Sequence, residues 1–204
     1  MDIAELNGEP GIRAAHSEAS GLSYVLTAPR RNGAAESTVD PDAEAAPLIV
    51  FLHSLQERGD VLARVIDNPA GQGSGLADFA LEEEDFAFYT LSPLCPARTH
   101  WFSIHRRLAL LVAEIVESEP IDPDRVFLVG VSMGGMGAWS LPMDYPELFA
   151  AVAPISGGVY SPPMRRDFAA ITAIPFRVYH DEDDPSIPLS KDAEAVAELQ
   201  EAGG

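Results

Sequence analysis

Apolar residues in this chain fall into short unbroken runs rather than alternating with polar ones. Leu48, Ile49, Val50, Phe51 and Leu52 form one run, and Val126, Phe127, Leu128, Val129, Gly130 and Val131 form another. Runs of this kind suit parallel strands buried on both faces. Shorter β-type runs cover residues 22–28, closed by Pro29, and residues 86–91, 149–155 and 176–180. Between them the period changes. Ile104, Leu108, Leu111, Val112, Ile115 and Val116 recur at helical spacing, with His105, Arg106, Arg107, Glu114 and Glu117 off the stripe, which predicts an amphipathic helix over residues 103–118 and a solvated His105. Residues 60–66 read as a short helix broken by Asn68, Pro69, Gly71, Gly73 and Gly75, and residues 189–202 as a final helix. Strands alternating with helices place the chain in the α/β class, with a mostly parallel sheet and helices on both faces. Residues 1–21 are polar and aperiodic and read as a weakly ordered lead-in carrying a solvated His16, residues 30–47 as an acidic Ala/Pro-rich loop, and residues 159–174 as a loop. The whole, 1–204, has the length of a single domain.

The run from Val126 ends in Gly130, Val131, Ser132, Met133, Gly134 and then turns helix-compatible. Gly-x-Ser-x-Gly between a strand and a helix is the pattern of a nucleophile elbow. The serine sits on a sharp turn with its hydroxyl raised above the sheet edge, and the glycines let strand and helix approach. The polar turn Asp122, Pro123, Asp124, Arg125 leads into that strand. An acyl-transfer serine also needs backbone N–H groups aimed at the developing oxyanion. The residue after the nucleophile, Met133, supplies one, and the turn after the strand at residues 48–52 (His53, Ser54, Leu55, Gln56, Glu57, Arg58, Gly59) fits the second role. In that turn His53 reads as a structural residue, and Glu57 and Arg58 as a bracing pair. The loop from Ser92 to Phe102 is expected on the same strand-end face, which makes Trp101 a candidate wall of a substrate pocket. A carboxylate must steady the histidine that takes the serine proton, and it follows the serine in chain order in elbow hydrolases. Asp184 is the choice in the acidic loop at residues 180–188, with Asp181 and Asp183 as competitors.

Charge narrows the partners. Asp and Glu number 32 against 13 Lys and Arg, a net charge of −19, which disfavours nucleic acid and anionic membrane. Lys191 is the only lysine, and the excess of carboxylates is compatible with a protein adapted to high salt. The single cysteine, Cys95, has no intrachain disulfide partner and reads as a small buried residue. The first residues lack the basic and apolar regions of a signal peptide, and no stretch reaches membrane-spanning length, so the chain reads as soluble and cytoplasmic. Oligomeric state is not legible.

Four pieces together resemble the α/β-hydrolase superfamily, and within it the predicted-esterase, feruloyl-esterase and polyhydroxybutyrate-depolymerase-like group related to phospholipase/carboxylesterases. They are Leu52 to Gly59, the loop from Cys95 and Pro96 to Trp101, Asp122 to Gly135, and His180 to Pro188. The resemblance implies an α/β-hydrolase fold and cleavage of small-molecule carboxylic esters through an acyl-enzyme on Ser132. It makes Asp184 the triad acid and the N–H groups of Met133 and Leu55 (or Gln56) the oxyanion hole, with no metal or organic cofactor. This sequence departs from the group in two places. Ser54 stands where relatives usually have glycine, and none of His16, His53, His100, His105 or His180 follows Asp184. Relatives continue into a further strand and a loop bearing the catalytic histidine, so the last strand and the His loop are expected to be missing here. The base is then expected from beyond residue 204 or from another chain, or the protein is an inactive binding module. A serine peptidase of the prolyl-oligopeptidase type shares the same elbow.

Overall fold

The computed structural model describes residues 11–35, 45–66, 75–160, 164 and 166–204. Strands β1 (Ile12–Ser17), β2 (Leu22–Thr27), β5 (Ala46–Leu52), β6 (Tyr89–Pro93), β7 (Ile121–Val131) and β8 (Ala151–Ile155) form one sheet in the order β1-β2-β6-β5-β7-β8. A small hairpin, β3 (Arg30–Arg31) and β4 (Ala34–Ala35), stands apart. β5, β6, β7 and β8 run parallel, and β2 is antiparallel to both β1 and β6. Helices α1 (Leu76–Glu82), α2 (His105–Ser118), α3 (Met133–Asp144) and α4 (Ser190–Glu201) follow in chain order. This is the mostly parallel α/β sheet that the apolar runs predict.

The uninterrupted runs fold as their composition dictates. Leu48, Val50, Leu52, Val126 and Leu128 point to one side and are fully or almost fully buried under α2 and α3, with Leu108, Leu111, Ile115 and Leu141 opposite them. α3 is buried around nearly its whole circumference, as a helix apolar on all sides must be. On the other side α1 and the turn Leu62–Val65 cover β1 and β2 through Ala14, Val25, Leu62, Val65 and Ala77. Over β5, β7 and β8 that same face leaves Ile49, Phe51, Phe127, Val129, Ala151 and Ala153 half-buried. A groove of about 500 Å³ runs along it, bordered by Phe127, Ala151 and Arg177.

Several boundaries differ from the sequence reading. Residues 12–17, assigned above to the lead-in, are β1, paired with β2 from Ile12 with Thr27 to Ser17 with Leu22. Its two buried positions, Ala14 and Ser17, are small and lie on opposite faces of the strand, so the sequence shows no apolar alternation there. The buried Ser17 and Ser20 hydroxyls accept the N–H groups of Ser20 and Leu22 to close the turn. His16 lies in this strand, its Nδ1 3.1 Å from the Ser23 hydroxyl. The loop expected at residues 30–47 contains the β3–β4 hairpin and the start of β5. The third predicted strand is displaced to Tyr89–Pro93, while Phe86 bridges to Arg30. Helix α1 has no counterpart in the pattern analysis, because its buried face is only Ala77 and Ala80. His105 is half-buried rather than solvated. The expected lead-in at residues 1–10, the loop at 36–44, the helix break at 67–74 and residues 161–163 and 165 lie outside the described residues.

Beyond β8 the predicted strand at 176–180 is an extended segment laddered parallel to it. The Val152 N–H donates to the Pro175 carbonyl (3.0 Å), Arg177 to Val152 (2.9 Å), Tyr179 to Pro154 (3.0 Å) and Ser156 to Tyr179 (2.8 Å). The carboxyl ends of β5, β7, β8 and this segment therefore share one edge of the sheet, and the site is built there.

Candidate active site

Ser132 occupies the turn between β7 and α3 with φ 57° and ψ −115°, a conformation that L side chains rarely adopt. Close packing holds it there. A Cβ on Gly130 would lie 2.2 Å from the Gly134 carbonyl oxygen, one on Gly134 1.8 Å from that of Leu52, and one on Gly135 2.6 Å from that of Ile155. The elbow is thus wedged against the ends of β5 and β8, and the Ser132 N–H donates to the Ile155 carbonyl at 2.9 Å. The glycines of the motif are required by contacts of backbone on backbone.

Ser132 opens onto a cleft of about 390 Å³, within the range of small-molecule sites. Leu55, Phe102, Met133, Met136, Met164 and Ile187 give it an apolar lining, and His100 and Tyr160 are its other members. Burial is the main reason the Tyr160 hydroxyl titrates above its ordinary range. Trp101 is not a cleft wall, contrary to expectation. It is fully buried, and its Nε1 donates to the His53 carbonyl at 2.9 Å. A bulky indole whose N–H needs an acceptor finds one behind the wall, and its neighbours His100 and Phe102, stacked at 5.0 Å, face the cleft instead.

The turn after β5 is tied down by side chains. His53 Nδ1 donates to the Ser54 carbonyl (2.7 Å) and its Nε2 accepts the Cys95 N–H (3.0 Å), so the buried ring is neutral and structural. Burial lowers its pKa in agreement. Ser54, the departure from the usual glycine, donates to the Glu57 carboxylate (2.6 Å), and its hydroxyl faces the Gln56 N–H at 3.4 Å. Arg58 reaches across to the Thr99 carbonyl (2.8 Å) and lies 3.5 Å from His100 Nε2. The brace therefore joins this turn to the loop before Trp101. The Leu55 side chain, half exposed, reaches the cleft. Cys95 is fully buried beside Thr99, its thiol pKa raised chiefly by burial.

Of the three aspartates in the acidic loop, Asp181 and Asp183 are exposed and Asp184 is half-buried. Asp184 Oδ1 accepts the N–H groups of Ser186 (2.8 Å) and Ile187 (3.0 Å). These bonds, Ile187 first, hold its pKa below the ordinary carboxylate value. Because Ile187 lines the cleft, the loop brings Asp184 to the same strand-end region as Ser132.

Two clusters escaped the sequence reading. Asp192 on α4 is buried and accepts hydrogen bonds from Trp139 Nε1 (2.5 Å), the Gly157 N–H (2.9 Å) and His180 Nδ1 (2.6 Å). His105 Nδ1 lies 2.6 Å from Asp144 and its Nε2 3.0 Å from the Ser140 hydroxyl, distances that match a Ser-His-Asp triad. Ser140 is fully buried and donates to the Met136 carbonyl (2.9 Å), so this arrangement fastens α2 to α3. Its spacing, i and i+4 on α3, was available in the sequence but carries no motif. Among the described residues no group of three or more His, Cys, Asp or Glu could hold a metal ion, and no helix is long and apolar enough to cross a membrane.

Known proteins share this architecture. NocK of Nocardia uniformis subsp. tsuyamanensis, named as an esterase, is 32% identical over 93 residues, which cover 46% of this chain and 26% of NocK. Poly(3-hydroxyalkanoate) depolymerase C of Paucimonas lemoignei is 38% identical over 56 residues, 26% of this chain and 14% of the depolymerase. The matched regions thus span about a quarter or less of these relatives. The crystal structure of a thermostable esterase superposes with a TM-score of 0.68 at 28% identity, covering 95% of this chain and 52% of that one. An acetyl xylan esterase from Aspergillus awamori shares the fold, with a TM-score of 0.64 at 16% identity over 93% of this chain and 80% of its own. The fold is the α/β-hydrolase fold. The phospholipase/carboxylesterase family profile matches residues 100–204, slightly more than half of the sequence and including elbow, cleft wall and acidic loop, and the chain belongs to that family.

Proposed function

We propose that this chain is a single-domain serine hydrolase that cleaves carboxylic esters through an acyl-enzyme on Ser132. The observation that carries the reading is the strained elbow, with Ser132 at φ 57° opening onto an apolar cleft. In this reading the Ser132 hydroxyl attacks the ester carbonyl and passes its proton to a histidine, which returns it to the leaving alkoxide. Water then attacks the acyl-enzyme by the same route and releases the acid. Asp184 is the carboxylate of the triad. The N–H of Met133 at the start of α3 and that of Leu55 hold the oxyanion, and Leu55 is preferred to Gln56 because the Gln56 N–H faces the Ser54 hydroxyl. The reaction as written needs no metal or organic cofactor. His53, His105 and His180 each have both ring nitrogens bonded elsewhere, and His16 is on β1. His100, at the cleft, has its Nε2 facing the Arg58 guanidinium at 3.5 Å, which favours an acceptor already engaged by a cation over a free base. The base is therefore proposed to come from outside these 204 residues.

The test is Ser132→Ala in the longest natural form of the protein. Turnover of a short-chain aryl ester and labelling by a fluorophosphonate should both disappear. Retained turnover would remove Ser132 from the mechanism, and cleavage of an aryl amide at the ester's rate would favour a peptidase. Absence of labelling in the unmutated protein would make the cleft a binding module.

A further inference from the structure

The acidic loop is anchored by a buried pair that the proposed reaction does not use. The side chains of His180 and Asp192 are each 2% exposed, and His180 Nδ1 lies 2.6 Å from Asp192 Oδ2. His180 Nε2 lies 2.8 Å from the Ile187 carbonyl. A carboxylate and a carbonyl only accept, so both ring nitrogens donate and the ring is an imidazolium. Burial alone would lower its pKa. The hydrogen bonds to Asp192 and Ile187 and the charges of Asp192 and Asp184 outweigh that and raise it. The charged groups facing the ring are Asp192 from α4 and Asp184 from the loop, the latter at 3.7 Å, while α3 and the β8 turn offer Trp139 and Gly157 to Asp192.

Ile187 is gripped on both sides. Its N–H donates to Asp184 Oδ1 and its carbonyl accepts from His180, and the following Pro188 restricts its backbone to extended conformations. We propose that His180, held as an imidazolium between Asp192 and the Ile187 carbonyl, is the positioning residue that orients the Asp184 carboxylate toward the cleft. This rests on the reading of Asp184 as the triad acid.

Two substitutions separate the ring's two bonds. In His180→Gln the side-chain amide can take the place of Nε2 and keep the donor to Ile187, and in His180→Asn it takes the place of Nδ1 and keeps only the donor to Asp192. Nitrogen-15 spectra of the histidine rings and carbon-13 titration of the Asp184 carboxyl are measured on the wild type and both variants, with ester turnover alongside. The expected result is a doubly protonated His180 at pH 7. The Asp184 pKa should rise slightly in both variants, because both lose the imidazolium charge, and should rise further toward the ordinary value in His180→Asn, which also releases the Ile187 carbonyl. Turnover should fall on the order of 100-fold in His180→Asn, the scale of a catalytic group misplaced by about 1 Å, with KM little changed. A singly protonated ring in the wild type, or an Asp184 titration that moves equally in both variants, would overturn the proposal. If the wild type turns over no ester, the hydrolase reading fails separately, and the ring and carboxyl titrations still decide the positioning role.

Discussion

Replacing Gly134 by alanine sets two effects of opposite sign against each other. Gly134 lies in the first turn of α3, where alanine is favoured over glycine by about 1 kcal/mol on helix propensity alone. The new Cβ, however, would lie 1.8 Å from the Leu52 oxygen, 2.5 Å from the Leu52 carbonyl carbon and 2.9 Å from the His53 oxygen, whereas ordinary contact begins at 3.4 Å. All three are backbone atoms at the end of a central strand, so no side chain can swing aside. Relief requires α3 and β5 to separate by about 1.5 Å, and overpacking of this kind costs about 1–3 kcal/mol, at the upper end when backbone must move. The net effect is a destabilisation of about 2 kcal/mol, or roughly 4–8 °C in Tm for a chain of this size. Thermal unfolding followed by circular dichroism measures it directly. A Tm equal to or above that of the parent would show that helix and strand are not wedged together, and the steric account of the elbow would fall.

Ser132→Gly should act in the reverse sense, because glycine adopts φ 57° without strain; we expect a gain of about 1 kcal/mol, seen as a higher Tm, together with loss of labelling. Ser140→Ala should leave fluorophosphonate labelling of the protein unchanged despite the triad-like distances to His105, and His100→Gln should leave the labelling rate within about threefold. A collapse in His100→Gln would assign the base to the one histidine that lines the cleft. Stability should fall on both sides of neutrality. His53 and His105 have pKa values lowered chiefly by burial, so their contribution is present above the ordinary 6.5 and is lost as pH falls below it. His180, raised above 6.5, contributes fully below that value and loses its contribution as pH rises through its folded-state pKa. A Tm series against pH should therefore become shallower just above neutrality in Asp192→Asn, where the buried thiol and phenols do not yet ionise, and an unchanged slope there would remove His180 as its source.

How much of this could be read beforehand follows from what each residue packs against. The elbow was legible because it depends on glycine at fixed spacing beside an unbroken apolar run, and both are visible in a single sequence. The acidic loop was legible in position. Which of its aspartates turns inward depends on the N–H groups of Ser186 and Ile187, and three neighbouring carboxylates look alike until the backbone is folded. β1 and α1 were obscured by small inward residues, alanine and serine, that carry little hydrophobic signal. Trp101 was misplaced for a different reason. An aromatic on a strand-end loop suits a pocket wall, but the deciding contact, its N–H to the His53 carbonyl, joins segments 48 residues apart. Asp192 was hidden by composition: among 32 acidic residues nothing local marks this one as almost wholly buried.

The strand ends explain why these separate features converge. Gly134 touches the end of β5, from which the Leu55 turn departs, and Gly135 touches the end of β8 at Ile155 and the Gly157 that bonds Asp192. The elbow therefore fixes the distance from Ser132 to the turn after β5 on one side and to the acidic loop on the other by backbone contact. Side-chain bonds then carry the same registration outward, from His53 to Cys95 at the end of β6 and from Trp139 on α3 to Asp192 on α4. A serine hydrolase needs its nucleophile, oxyanion donors and acid held together within a fraction of an ångström. Under the proposed mechanism that demand falls on glycine contacts between rigid elements, which leaves the half-exposed cleft lining of Leu55, Phe102 and Met136 as the part free to vary with the proposed acyl group.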